Sequence, residues 1–171
     1  MNSLARNLLE IGSLKFGEFT LKSGKTSNVY VDLRQIISFP HILEEVADAI
    51  WACQTIPAEF ICGVPYTALP IGTVIAMKHR LPMVMRRKEA KDYGTKKKVE
   101  GVFSPGQTCV IIEDVVTTGM SILETIKDLE DAGLKVVEVL ALLDREEGGA
   151  LNLEKAGYPF RAAMKLSDLT M

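Results

Sequence analysis

From Thr108 onward the chain shows one arrangement that leaves little choice of fold. A continuous apolar run, Thr108–Ile112, gives way to a helical period over Gly119–Ala132, which Gly133 ends, and a second apolar run follows at Lys135–Leu143. A strand that is apolar at successive residues rather than alternate ones is buried on both faces. Two such strands joined through a helix form a parallel pair, with the connecting helix lying on the sheet. The same alternation runs upstream. Val29–Asp32 reads as a short strand and Pro40–Gln54 as a helix with Ile42, Leu43, Val46 and Ile50 on one face and Pro40 at its start. Glu59–Val64 is a strand, Ala68–His79 a helix with Pro70 and Gly72 in its first turns, Pro82–Arg86 a strand, and the polar, Gly-bearing stretch Lys88–Gly101 a loop. The reading is an α/β fold, a central mostly parallel sheet flanked by helices, and 171 residues make it a single domain. Ligands of such sheets sit beyond the carboxyl ends of the strands, so the informative residues should follow them.

Several function classes drop out. Hydrophobic residues make up 47% and the formal net charge is −2, which excludes a disordered chain. No run approaches the roughly 20 apolar residues of a bilayer span, so no membrane partner is expected. Arg6 and Glu10 interrupt the apolar patch of Met1–Gly12, leaving no signal-peptide core, and the expected location is cytoplasmic. Cys53, Cys62 and Cys109 stand far apart in apolar surroundings and read as buried free thiols. With only His41 and His79, a histidine-built metal site is not expected, and neither stands in a nucleophile setting. Charge is uneven: Arg86–Gly101 holds seven basic residues against three acids, whereas the remainder of the chain to Met171 holds six against twelve. A basic island in a slightly acidic protein suits a local anion site and not a nucleic-acid surface.

The residues after the central strand supply the chemistry. Val110-Ile-Ile-Glu-Asp-Val-Val-Thr-Thr-Gly-Met-Ser121 runs from an apolar strand through two adjacent acids, Glu113 and Asp114, into a Thr/Gly/Ser loop that opens a helix. Hydroxyls and backbone N–H groups at a helix N-terminus hold a phosphate monoester. Adjacent acids do not favour phosphate; they suit ribose hydroxyls, a hydrated Mg²⁺ or a developing cation. Thr-Thr-Gly alone fits a capped strand end equally well, but the whole string does not. It is neither a Walker loop nor a dinucleotide fingerprint.

This string closely resembles the phosphoribosyl-pyrophosphate (PRPP) signature of type I phosphoribosyltransferases. Four further segments narrow the resemblance: Phe16–Gly24 with Thr26-Ser27, Cys62–Pro70, Arg86–Gly94 and Leu142–Gly149. Together they resemble the orotate phosphoribosyltransferase family from about Phe16 to Leu169, and the wording is similar to the transferase half of bifunctional UMP synthases; the length leaves no room for a decarboxylase half. The resemblance implies a glycosyltransferase (pentosyltransferase) of de novo pyrimidine biosynthesis that takes orotate and PRPP, with Mg²⁺ held mainly through PRPP and no direct protein ligand.

Roles follow by motif. Lys22 matches a lysine that reaches PRPP and lies near orotate. Tyr30 and Val31 match the pair flanking the orotate ring, usually both aromatic. Tyr66 and Thr67 match the pyrophosphate loop, where the family often has a cis peptide, here expected at Pro65–Tyr66. Arg87, Lys88 and Lys91 match the pyrophosphate-grasping residues, with Lys91 offering catalytic help, and Tyr93 stands where many members have His. Glu113 and Asp114 match the ribose-contacting acids and are, with Lys91, the expected catalytic residues. Val115, Val116, Thr117, Thr118, Gly119, Met120 and Ser121 match the phosphate loop, Met120 through its backbone and Thr117 also toward orotate. Arg145 matches the arginine that pairs with orotate's carboxylate, a planar partner for its fork; alone it would read as a surface ion pair with Glu146 or Glu147. Lys96–Lys98 read as a solvated run.

The family also implies a homodimer in which the 87–101 loop closes over the neighbouring subunit's site. Residues 36–150 would form the PRPP-binding core, and residues 1–35, with the C-terminal strand around Phe160–Met164, a small hood. A transferase using a purine or uracil, and a non-catalytic PRPP sensor, are the competing readings; Lys22, Arg145 and the complete loop argue against them.

Overall fold

The computed structural model describes residues 3–20, 24, 26–89 and 97–169. Helix α1 (Ser3–Glu10) leads into strands β1 (Leu14–Thr20) and β2 (Thr26–Val31), which pair only with each other, antiparallel. A 3-10 turn at Arg34–Ser38 and helix α2 (Pro40–Trp51) follow. The rest alternates: β3 (Phe60–Gly63), α3 (Ala68–His79), β4 (Met83–Arg86), β5 (Val99–Glu100), β6 (Thr108–Val116), α4 (Met120–Asp131), β7 (Lys135–Asp144), α5 (Gly149–Lys155), β8 (Phe160–Lys165) and α6 (Leu166–Leu169).

Strands β3 to β8 form one sheet in the order β5-β4-β3-β6-β7-β8. Every neighbouring pair is parallel except β4–β5. Alternation along the buried strands sorts the core into two slabs. Ile61, Val110, Ile112, Leu140 and Leu142 face α1, α2 and α3. Cys62, Cys109, Ile111, Val139 and Ala141 face α4 and α5. Val110, Ile111 and Ile112 are completely buried, each worth about 1.5–3 kcal/mol of apolar transfer. The central strand is thus fixed from both sides, and the residues at its carboxyl end inherit that rigidity.

Four expectations need correction. The strand read as Thr108–Ile112 runs on to Val116, so Glu113 and Asp114 lie on the ladder rather than beyond it. The stretch read wholly as loop, Lys88–Gly101, returns through β5, which pairs with β4. Phe160–Met164, expected in the hood, belongs to β8 at the edge of the main sheet, beside β7. The reason is that β7 is a long, buried strand whose open side of backbone donors and acceptors needs a partner. Finally, Cys62 and Cys109 are buried free thiols, but Cys53 is only partly buried. Burial pushes the Cys62 thiol up to about 12 and Cys109 well above its ordinary value, which leaves both inert as nucleophiles.

One charge lies inside the apolar run of β7. Glu138 is fully buried and accepts hydrogen bonds from Thr55 N–H at 3.0 Å, Ile56 N–H at 3.1 Å and the Thr55 hydroxyl at 2.6 Å, with Arg161 3.5 Å away. A buried carboxylate satisfied in this way ties the α2–β3 connection to the sheet, at the end away from the site described next.

Candidate active site

The strand order sets the location. After β3 the chain crosses toward β4, and after β6 it crosses toward β7, so the connections diverge between the adjacent strands β3 and β6. The crevice beyond their carboxyl ends is the topological switch point. Four turns meet at this end of the sheet: those after β3, β4, β6 and β7.

The turn after β3 is drawn tightly against the start of α3. A Cβ on Gly63 would stand 2.4 Å from the Ala68 carbonyl oxygen, so no other residue fits there. The Pro65–Tyr66 peptide bond is cis, at the expected position. Tyr66 is 70% exposed, and the Lys88 ammonium lies 4.6 Å from its ring centroid. Pro65, Tyr66, Arg87 and Lys88 line a cleft of about 380 Å³. Thr67 opens α3 without a side-chain cap, and within the first turn Leu69 N–H bonds Tyr66 O at 3.1 Å. Arg87 is paired through Nε with Glu100 at 2.6 Å, and its N–H bonds Lys98 O at 2.7 Å.

At the end of β6, Glu113 is buried and Asp114 partly so. The Asp114 N–H donates to Glu113 Oε1 at 2.9 Å, and the Val115 N–H to Asp114 Oδ1 at 2.7 Å, which orients both carboxylates. Burial holds the Glu113 carboxyl well above the usual range, the adjacent Asp114 adds to this, and Lys88 opposes it. Beyond Val116, the loop of Thr117 and Thr118 reaches Gly119, whose φ of +79° caps α4 and turns the helix N-terminus toward the loop. Val115, Thr117, Thr118, Met120 and Ser121 border a small cavity of about 40 Å³ there. The loop is held from below: Thr117 O accepts from Gly149 N–H at 2.9 Å and Thr118 O from Asn152 Nδ2 at 2.9 Å. The loop thus offers backbone N–H groups and hydroxyls at a helix N-terminus beside two acids, an arrangement with the chemistry to hold a phosphate.

Arg145 enters from the end of β7. Its backbone N–H bonds Val116 O at 2.9 Å, so this arginine and the Val115–Ser121 loop are one hydrogen bond apart. Its side chain is largely buried; Nε donates to Glu147 at 2.7 Å, and Nη2 lies 3.4 Å from the Ser27 hydroxyl of β2. The ion pair that the sequence offered as an alternative for Arg145 therefore exists, but within the site and not on the open surface. Tyr30 and Val31 are consecutive on β2 and so project to opposite faces. Tyr30 packs 5.5 Å from the Phe19 ring, and Val31 lies against the main core cluster, which leaves Val31 only backbone groups to offer a ligand.

Lys22, Lys91 and Tyr93 lie outside the described residues. Lys98, read as part of a solvated run, is half exposed but also pairs with the buried Asp128 at 2.9 Å. The sequence reading quoted Ser27 without giving it a role of its own and passed over Asp128. An acid at position 128, three residues beyond the buried Thr125 on the edge of α4's apolar stripe, is the signal that could have found the second. Among the described residues no cluster of three His, Cys, Asp or Glu could hold a metal ion. Each carboxyl of the Glu113–Asp114 pair already accepts a backbone N–H, so these acids suit the water shell of a Mg²⁺ whose direct ligands are a substrate's phosphates.

Comparison with known proteins agrees with this geometry. Residues 35–156 match the phosphoribosyl transferase domain family. The chain is 48% identical over 95% of its length to an orotate phosphoribosyltransferase of Chlamydia caviae, covering 81% of that protein. It is also 48% identical over 99% of its length to uridine 5'-monophosphate synthase of Bos taurus, but spans only 36% of that protein. The crystal structure of orotate phosphoribosyltransferase from Aeropyrum pernix superposes with a TM-score of 0.86 at 30% identity, covering 97% of this chain and 95% of that one.

Proposed function

From the premise that this chain belongs to the orotate phosphoribosyltransferase family of pentosyltransferases, we propose that it transfers the phosphoribosyl group of PRPP to orotate, giving orotidine 5'-monophosphate and pyrophosphate. The observation that supports this reading is the hydrogen bond from Arg145 N–H to Val116 O, which joins an arginine suited to a planar carboxylate to a helix-opening loop suited to a phosphate.

In this reading the 5'-phosphate occupies the Val115–Ser121 loop, with Met120 contributing its N–H. Glu113 and Asp114 lie along the ribose hydroxyls. Arg87, Lys88 and the Tyr66–Thr67 turn take the pyrophosphate, Lys91 and Tyr93 act beside them, and Lys22 bridges PRPP to the base. Orotate lies between Tyr30 and the backbone of Val31 and Thr117, its carboxylate on Arg145. Breaking the C1'–oxygen bond builds positive charge on the ribose and negative charge on the leaving pyrophosphate. Asp114 and the carboxyl oxygens of Glu113 stabilise the first, and the fixed cations the second, as preorganised charges and dipoles that need no rearrangement at the moment of reaction. Mg²⁺, when bound, neutralises pyrophosphate charge. No covalent nucleophile is required. The proposed assembly is a homodimer with the 87–101 loop shared between subunits, and the proposed location is the cytoplasm; no helix among the described residues is long and apolar enough to cross a membrane.

The test is an ultraviolet assay of orotate consumption with PRPP and Mg²⁺, run beside uracil, hypoxanthine and adenine. Turnover of orotate alone supports the reading. Turnover of another base keeps the PRPP site and overturns the roles of Lys22 and Arg145. PRPP binding without turnover of any base makes the chain a sensor.

A further inference from the structure

Two strand ends carry the 87–98 segment, and a single carboxylate on a helix holds both. Asp128 Oδ2 accepts from Arg86 Nε at 2.7 Å, at the end of the outgoing strand β4. Asp128 Oδ1 accepts from Lys98 Nζ at 2.9 Å, at the start of the returning strand β5. The Asp128 and Arg86 side chains are 6% and 9% exposed, so their attraction is little screened, whereas Lys98 is half exposed. Between these anchors the two strand ends are paired through Arg86↔Val99 and through Arg87 N–H to Lys98 O at 2.7 Å. Packing alone holds the returning strand weakly. It is two residues long, and a cavity of about 530 Å³ lined by Lys98, Val99, Phe103, Asp128 and Ala132 lies beneath it. The helix that supplies Asp128 is the same α4 whose N-terminus closes the Val115–Ser121 loop.

We propose that Asp128 is a positioning residue that fixes the register of β4 and β5 relative to α4, and so presents Arg87 and Lys88 to pyrophosphate at a set distance from the Val115–Ser121 loop. This rests on the reading of the preceding subsection. Arg87 and Lys88 follow Arg86 directly in the chain, so any slip of Arg86 along α4 moves both cations together. Asp128 touches neither substrate; it acts through Arg86 and Lys98.

The experiment compares Asp128→Asn and Lys98→Met with the parent, in steady-state kinetics and in calorimetric titration of magnesium pyrophosphate. Losing a charge-assisted contact at this position should raise the KM for PRPP and the pyrophosphate Kd by about tenfold in Asp128→Asn. The KM for orotate should stay within about twofold, because Arg145 follows β7, away from the clamp. Lys98→Met should shift the same two constants in the same direction by less, and the double variant should be no worse than Asp128→Asn alone, because both substitutions break one clamp. Unchanged PRPP and pyrophosphate constants, or equal rises for PRPP and orotate, overturn the proposal. If Asp128→Asn does not fold, Lys98→Met alone decides. A parent that binds pyrophosphate but makes no orotidine 5'-monophosphate overturns the functional reading while the titrations still judge Asp128; a parent that binds neither PRPP nor pyrophosphate overturns both.

Discussion

Arg145 Nε donates to Glu147 Oε1 at 2.7 Å while Nη2 of the same guanidinium lies 3.4 Å from the Ser27 hydroxyl, so this side chain bridges the end of β7 to the separate β1–β2 sheet. The group is 92% withdrawn from water yet keeps further N–H donors beyond these two contacts, since a guanidinium has five. A fork restrained at Nε and at one terminal nitrogen is oriented before any ligand arrives, which lowers the ordering cost of binding a planar carboxylate.

Substitution Arg145→Ala should therefore raise the KM for orotate by about 10–100-fold, the range for losing charge-assisted hydrogen bonds, with a much smaller effect on PRPP. Steady-state kinetics with each substrate varied in turn checks this. Equal losses for both substrates would remove Arg145 from the base side of the site.

Glu113 makes a prediction about pH. Its carboxyl is held well above the ordinary glutamate value, first by burial and then by Asp114. Between the unfolded pKa, about 4.3, and the raised folded value, the native state keeps a proton that the unfolded chain has released. Stability from this group is thus full below the unfolded pKa and falls as pH rises across that window. Glu113→Gln should be more thermostable than the parent at neutral pH, with the advantage vanishing below about pH 4, while its turnover drops. Each kcal/mol recovered appears as about 2–4 °C in Tm for a chain of this size. An unchanged Tm difference from pH 4 to pH 8 would contradict the assignment.

Two glycines give an opposed pair. A Cβ on Gly149 would stand 2.5 Å from Val116 Cγ1 and 2.6 Å from Thr117 O, in the loop that opens α4. Gly149→Ala should cost about 1–3 kcal/mol from overpacking and weaken PRPP binding, because the displaced atoms belong to that loop. At Gly72, within α3, the same Cβ would meet Met83 Cε at 3.4 Å and Ile61 Cγ2 at 3.5 Å, which is ordinary contact. Gly72→Ala should leave PRPP binding unchanged and add about 0.4–1 kcal/mol of stability through reduced unfolded-state entropy. Thermal denaturation and PRPP titration of both variants check the pair.

The shared-loop dimer is tested by complementation. Lys91→Ala and Asp114→Asn should each be nearly inactive, and mixing them under subunit exchange should restore activity, since one of the two sites in a mixed dimer then receives an intact loop and intact acids. Light scattering that shows only monomer at micromolar concentration, or no recovery despite proven exchange, would reject the arrangement.

Much of this molecule is local and could be read along the chain. Cys109–Ile112 had to be a strand buried on both faces, and the helix over Ala68–His79 agrees with its sequence-based bounds. The acids, hydroxyls and glycine of Glu113–Ser121 marked a loop that opens a helix at a strand end, and the structure has it between β6 and α4. Partner choice was not legible. Asp128 meets Arg86 and Lys98 across 42 and 30 residues, and Glu138 meets Thr55 across 83. Nothing in the local period of an acid says which cation or amide will share its burial. Likewise Phe160–Lys165 carries the signal of a strand, but only the open edge of β7 decides that it joins the main sheet instead of the hood. Periodicity reports how a segment divides its own side chains between core and water; which edges and charges come together is settled when the whole chain packs, because a buried strand edge or carboxylate is stable only with a partner.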